Sequence, residues 1–141
     1  MEKSTGELLE ILKSKKTYED FFEQEIEELY FKSIREYLEI LLKEKGLRKS
    51  EVILHGNLDK NYAYQIFNGN KTNPSRDKII MLSFGMKLNL AETRKLLKIA
   101  CQSDLYVRIP RDSVIIYCIN KQLSIIDCNE YLSDFGLDIL E

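Results

Sequence analysis

Histidine, paired cysteines and long apolar runs are nearly missing from this chain of 141 residues, and each shortage removes a class of function. The single His55 has no cysteine or second histidine near it, so a zinc site has no ligands to draw on. One histidine also supplies no nucleophile–base pair, and no glycine-rich stretch is spaced to cradle a phosphate. No enzymatic activity, cofactor or metal is therefore expected. Cys101, Cys118 and Cys128 are odd in number and lack CxxC spacing, and each falls among apolar residues. That predicts small buried hydrophobes in a reducing, cytoplasmic setting. The longest unbroken apolar run, Val114 to Ile119, is too short to span a bilayer, and the N-terminus has no apolar core or cleavage site of a signal peptide. A strong charge of one sign is lacking too. A formal net charge of −2 and a pI near 5.6 argue against indiscriminate binding of polyanions.

What is present is a globular composition, 44% apolar and 31% charged, in a length that suits one domain with an extension. Charge is unevenly spread. Residues 1–45 hold 8 basic and 12 acidic side chains, residues 46–80 hold 6 and 3, and residues 81–141 hold 7 and 8. Only the middle third is positive. A local excess of this kind fits a nucleic-acid footprint, since attraction to phosphate acts over about a Debye length, ~8–10 Å; chance is the alternative.

Apolar spacing of three and four residues recurs throughout, without strand-like alternation, which predicts an all-α chain. Leu8, Leu9, Ile11 and Leu12 mark a short amphipathic segment. Thr17 then caps a second, with Phe21, Phe22, Ile26 and Leu29 on one face and six carboxylates, Glu19, Asp20, Glu23, Glu25, Glu27 and Glu28, around it. Residues 1–32 are thus read as an acidic helical arm. Its outer face is either simply solvated, or repels DNA or covers a basic patch. A domain over 33–101 opens with Ser33 and Glu36 as a capping box and a helix on Ile34, Tyr37, Leu38, Leu41 and Leu42, ended by Gly46.

The stretch GLRKSEVILHGNLDKNYAYQIFNGNKTNP, from Gly46 to Pro74, then reads as two short helices joined by a tight turn. The first covers Lys49 to His55, the turn is Gly56–Asn57 with both residues tolerant of positive φ, and the second runs from Lys60 to Asn68 and stops at Gly69. Ser75 caps a fourth helix and Asn89 with Glu92 a fifth. A linker from Gln102 to Pro110 leads to a C-terminal hairpin within 102–141, with helices over Arg111 to Asn120 and Ile125 to Phe135. The hairpin echoes the preceding helix pair at a gapless offset of 35 residues, with Arg76–Asp77 matching Arg111–Asp112, and Ile80, Leu88 and Leu97 matching Ile115, Leu123 and Leu132. Five identities in 26 positions are weak as evidence of ancestry and stronger as evidence of a shared shape.

Residues 34–100 resemble the lambda-repressor and Cro type of helix-turn-helix, the XRE family. The resemblance rests on Gly46–Leu47, Val52–Ile53, Leu58 after the turn, Ala63 and Ile66, Gly69, Pro74 and the order of five helices. With YQIFNGN, NPSRDK and the tail RDSVIIYCINKQLSIIDCNEYL, the chain is further similar to bacterial proteins of this type that carry a two-helix C-terminal extension. The resemblance implies a lambda-repressor-like five-helix fold and a DNA-binding transcriptional regulator whose third helix enters the major groove of double-stranded DNA. The residues agree with this. Leu58, Ala63, Ile66 and Phe67 form an inward set, which leaves Lys60, Asn61, Tyr64, Gln65 and Asn68 outward. Asn and Gln can pair with adenine and Lys with guanine, so Lys60, Asn61, Tyr64 and Gln65 are the base-reading candidates. By the family pattern Lys49 and Ser50 meet phosphate, and Asn68, Lys71 and Arg76 hold the adjoining backbone.

Arg76 has a second reading, because Arg111 repeats it outside the motif and both could tie a helix start to Asp77 or Asp112. Two features depart from the pattern: Asp59 sets a carboxylate near the phosphates unless it caps the third helix, and position 49 is lysine where the family often has glutamine. Tyr62 and Tyr64 suit thymine methyls or a protein partner equally. A homodimer is expected through Val114, Ile115, Ile119, Tyr131 and Leu132, unless these residues pack onto the fourth and fifth helices instead. The competing function is a protein-interaction adaptor that keeps the scaffold without binding DNA.

Overall fold

Nine helices make up the regular structure of the residues described by the computed structural model, 3–25 and 33–141. They are α1 (Thr5–Ser14), α2 (Tyr18–Glu25), α3 (Ile34–Lys45), α4 (Lys49–His55), α5 (Lys60–Phe67), α6 (Arg76–Gly85), α7 (Leu90–Ile99), α8 (Pro110–Asn120) and α9 (Ile125–Asp134). No strand occurs among the described residues, so the chain is all-α there. No described helix is long and apolar enough to cross a membrane. The chain divides into two compact units, Met1–Phe31 and Lys32–Glu141.

In the first unit α1 and α2 pack on each other. Phe21 is buried, and the buried Glu25 is paired with Lys3. Ile26, Glu27, Glu28 and Leu29 of the expected acidic face lie outside the described residues.

The second unit is started and stopped where the chain's cap residues dictate. The side chains of Ser33, Asp59, Ser75, Asn89 and Ser124 each accept the backbone N–H three residues on, at 2.8–3.4 Å. Each thereby satisfies one of the donors that a helix start leaves open. One boundary differs from expectation: Pro110 is the first residue of α8 rather than the end of a linker, because its fixed φ and missing N–H suit that position.

At the centre lies α6, buried without a break from Ile79 to Gly85 and packed by α4, α7 and α9. The tightest approach is to α4. A Cβ on Gly85 would stand 2.3 Å from the Val52 carbonyl oxygen, and one on Gly56 would stand 2.7 Å from that of Met81. Gly56 therefore serves close packing, with φ −86, and Asn57 alone carries the positive φ of the turn, at 54°. The buried hydroxyls of Ser83 and Thr93 donate to the carbonyls one turn back, Ile79 and Asn89, each at 2.9 Å.

The C-terminal hairpin shares the core of the preceding helices. Ile115, Ile119 and Leu132 are 0%, 5% and 0% exposed within it. These three expected dimer residues therefore pack onto the chain's own helices, leaving Val114 half-buried and Tyr131 exposed. Cys118 and Cys128 are buried as expected, and desolvation raises both thiol pKa values. Cys101 is exposed, contrary to expectation, at the left-handed residue that closes α7.

The offset of 35 residues extends to the hydrogen bonds. Arg76 Nε donates to Ser103 O and its Nη2 to Asp104 O, while Arg111 Nε donates to Asp138 O and its Nη2 to Ile139 O, all at 2.8–3.2 Å. The left-handed residues Lys87 and Cys101 recur as Gln122 and Gly136. The ion pairs are crossed: Arg76 grips Asp112 with two bonds of 3.1 and 2.9 Å, and Arg111 grips Asp77 with two of 2.8 and 2.9 Å. Reciprocal exchange of this kind, with α6 also on α9 and α7 on α8, is the pattern of a pseudo-two-fold axis between hairpins α6–α7 and α8–α9.

Candidate nucleic-acid interface

The interface candidate is built from α4, the turn Gly56–Asp59 and α5. Leu58, Ala63, Ile66 and Phe67 are buried, which fixes the rotation of α5 about its axis. That rotation leaves Lys60, Asn61, Gln65 and Asn68 exposed and Tyr64 half-buried. Asp59 is taken up as the cap of α5, its Oδ2 accepting Tyr62 N–H at 3.0 Å, so its carboxylate is bound to the helix end. Ser50 of α4 joins Lys60 and Tyr64 along a groove of about 330 Å³ floored by Ile53 and Leu58. The structure thus brings one expected phosphate residue and two expected base-reading residues to a single concave surface.

The remaining expected phosphate residues divide. Lys71 is exposed, with its Nζ 5.2 Å from the centre of the Tyr62 ring. Asn68 folds its Oδ1 back on Asn70 N–H at 3.0 Å, which shapes the loop after α5. Lys49 stands at the start of α4, but Glu39 lies 3.1 Å from its Nζ and partly neutralises it.

Arg76 leaves the set. Its guanidinium spends its donors on Asp112, Ser103 and Asp104, and the side chain is 21% exposed, so the reading that tied Arg76 and Arg111 to the aspartates is the one realised, in crossed form.

Two cations belong here that spacing did not single out. Lys78, in the first turn of α6, places its Nζ 5.6 Å from the centre of the same Tyr62 ring that Lys71 covers. Arg35 of α3 is exposed and lies against Gly69, where a Cβ would meet its Cδ at 3.1 Å. Tyr62 is the signal that links the two lysines, because an aromatic face attracts cations from both sides of the loop. Lys60, Lys71, Lys78 and Arg35 therefore border the exposed amides of α5.

The chain matches none of the protein-family models, curated proteins or solved structures with which it was compared.

Proposed function

We propose that residues 33–101 form a lambda-repressor-like helix-turn-helix domain and that the chain is a sequence-specific DNA-binding transcriptional regulator. The observation that carries this reading is the outer face of α5, where Asn61 and Gln65 are exposed one turn apart, with Lys71 and Lys78 at the Tyr62 ring and Arg35 against Gly69. Lys60, Asn61, Tyr64 and Gln65 read base edges in the major groove, where a good bidentate contact contributes ~1–3 kcal/mol of discrimination. Lys71, Lys78 and Arg35 hold phosphates, together with Ser50 and Lys49 at the start of α4. A module of this size covers only ~600–1,000 Å² on DNA, so two copies on two half-sites give useful affinity. The outer face of α8–α9, with Val114, Tyr117 and Tyr131, is the surface left for that pairing.

Asn61→Ala and Gln65→Ala each relax sequence choice, while Lys71→Ala weakens binding to all DNA and lowers the salt slope by ~1. Binding isotherms on selected and random duplexes at several salt concentrations test this, and unchanged affinity and specificity in all three variants would refute the interface. The adaptor reading keeps one observation in its favour, the large exposed side chains Leu54, Tyr117 and Phe135, at 75%, 47% and 70%. Loss of DNA retention even at low salt, with a protein partner retained, would select it.

A further inference from the structure

A second concave site adjoins the α4–α5 groove. It is a cavity of about 660 Å³ where the C-terminal ends of α4, α6 and α8 meet the start of α9. Part of its wall comes from equivalent positions of the two repeats, Phe84 and Ile119, Leu88 and Leu123, Lys87 and Gln122, and the rest from α4 and the start of α9. The cavity therefore straddles the pseudo-two-fold axis, at the opposite helix ends from the crossed Arg–Asp pairs.

Its chemistry is specific. At the ends of α6 and α8 a turn amide bonds back into the helix, Leu88 N–H to Ser83 O at 3.0 Å and Leu123 N–H to Cys118 O at 2.9 Å. Apolar side chains therefore make most of the wall, with Leu54 and Ile126 exposed on it. Among the paired positions one repeat supplies Lys87, an ammonium-bearing residue, where the other supplies the amide-bearing Gln122, and both are exposed at the cavity's edge. Both can donate hydrogen bonds, the second ionisable group is His55, and no carboxylate lines the cavity. Volumes of roughly 300–1,000 Å³ with apolar walls and a few convergent polar groups are those of small-molecule sites.

We propose that this cavity binds a small amphiphilic carboxylate, its apolar chain between the two repeats and its acid group between Lys87 and Gln122. This goes beyond the DNA reading and stands without it. The cavity shares Leu54 and Asn57 with the groove beside α5.

Isothermal titration of the full chain with octanoate, octan-1-ol and octylammonium tests the proposal in the absence of DNA. Octanoate binds at least tenfold tighter than octylammonium and tighter than the alcohol. From hexanoate to decanoate the affinity rises about fourfold per methylene, as burial of each CH₂ requires. Lys87→Met, a surface change, erases the preference for the acid and keeps the chain-length trend. Leu123→Trp fills the cavity and weakens all three ligands, with circular dichroism confirming its helices; should it fail to fold, Ile126→Trp at the exposed edge replaces it. Equal binding of the three head groups, preference for the amine, or a preference for octanoate that survives Lys87→Met would each overturn the assignment.

Discussion

Replacing Arg76 by methionine separates a structural arginine from a DNA-contacting one. The substitution keeps the bulk of the stem and removes the guanidinium that bridges Asp112, Ser103 and Asp104. The Asp112 carboxylate is then left 2% exposed, with Tyr106 N–H at 3.0 Å as its remaining partner. Breaking a buried pair from one side costs about 3–5 kcal/mol, and the solvent that reaches the arginine lowers this to about 2–4. For a chain of this size that is a fall in melting temperature of roughly 7–15 °C. Arg111→Met removes the pseudo-symmetric clamp, but Asp77 is 34% exposed on its side chain, so about 1–2 kcal/mol is expected. Urea unfolding and thermal melts of both variants measure the difference. Neither variant alters the salt slope of DNA binding under conditions where it is folded. An Arg76→Met protein with native stability and a salt slope lowered by about 1 would refute the clamp and return Arg76 to the phosphate set.

Gly85→Ala presses a methyl against the Val52 carbonyl and is expected to destabilise by roughly 3 kcal/mol, whereas Gly136→Ala, with φ +71 and open space around it, costs about 1 kcal/mol; paired denaturation curves check the contrast. Burial pushes the Asp104 carboxyl up, but its hydrogen bonds from Arg94 and the Leu105 amide outweigh this, so its pKa is lowered. Its contribution is therefore complete above the ordinary carboxylate range and is lost as pH falls through the lowered value; Asp104→Asn reduces stability at neutral pH and flattens the acid limb of a stability–pH profile. Alkylation of the native chain with iodoacetamide modifies Cys101 and spares Cys118 and Cys128, which react once the chain is denatured; mass spectrometry before and after denaturation reads the count.

Much of this fold is written locally. Ser33, Ser75 and Asn89 announce helix starts because a cap needs only a side chain and the amide three residues on. Leu58, Ala63 and Ile66 announce which side of α5 is buried because helical spacing is itself local. What resisted reading depends on partners far along the chain. Arg76 precedes a helix as a phosphate ligand would, and only the return of α8 shows Asp112 waiting for it. Gly56 resembles a turn glycine, and its packing role requires knowing that Met81 and Val52 pass beside it. Lys78 joins the candidate interface through the Tyr62 ring, a contact made across the loop after α5. The cavity exists because the helix ends of two repeats meet the end of α4, and no single segment encodes it.

The central claim is that the outer face of α5 reads DNA, and it is tested most directly by selecting bound duplexes from a random pool with the full chain. Enrichment of a common sequence, a palindrome if two copies bind, with the enrichment lost for Asn61→Ala combined with Gln65→Ala, is the predicted result. A pool that stays random through repeated rounds at low salt would contradict it.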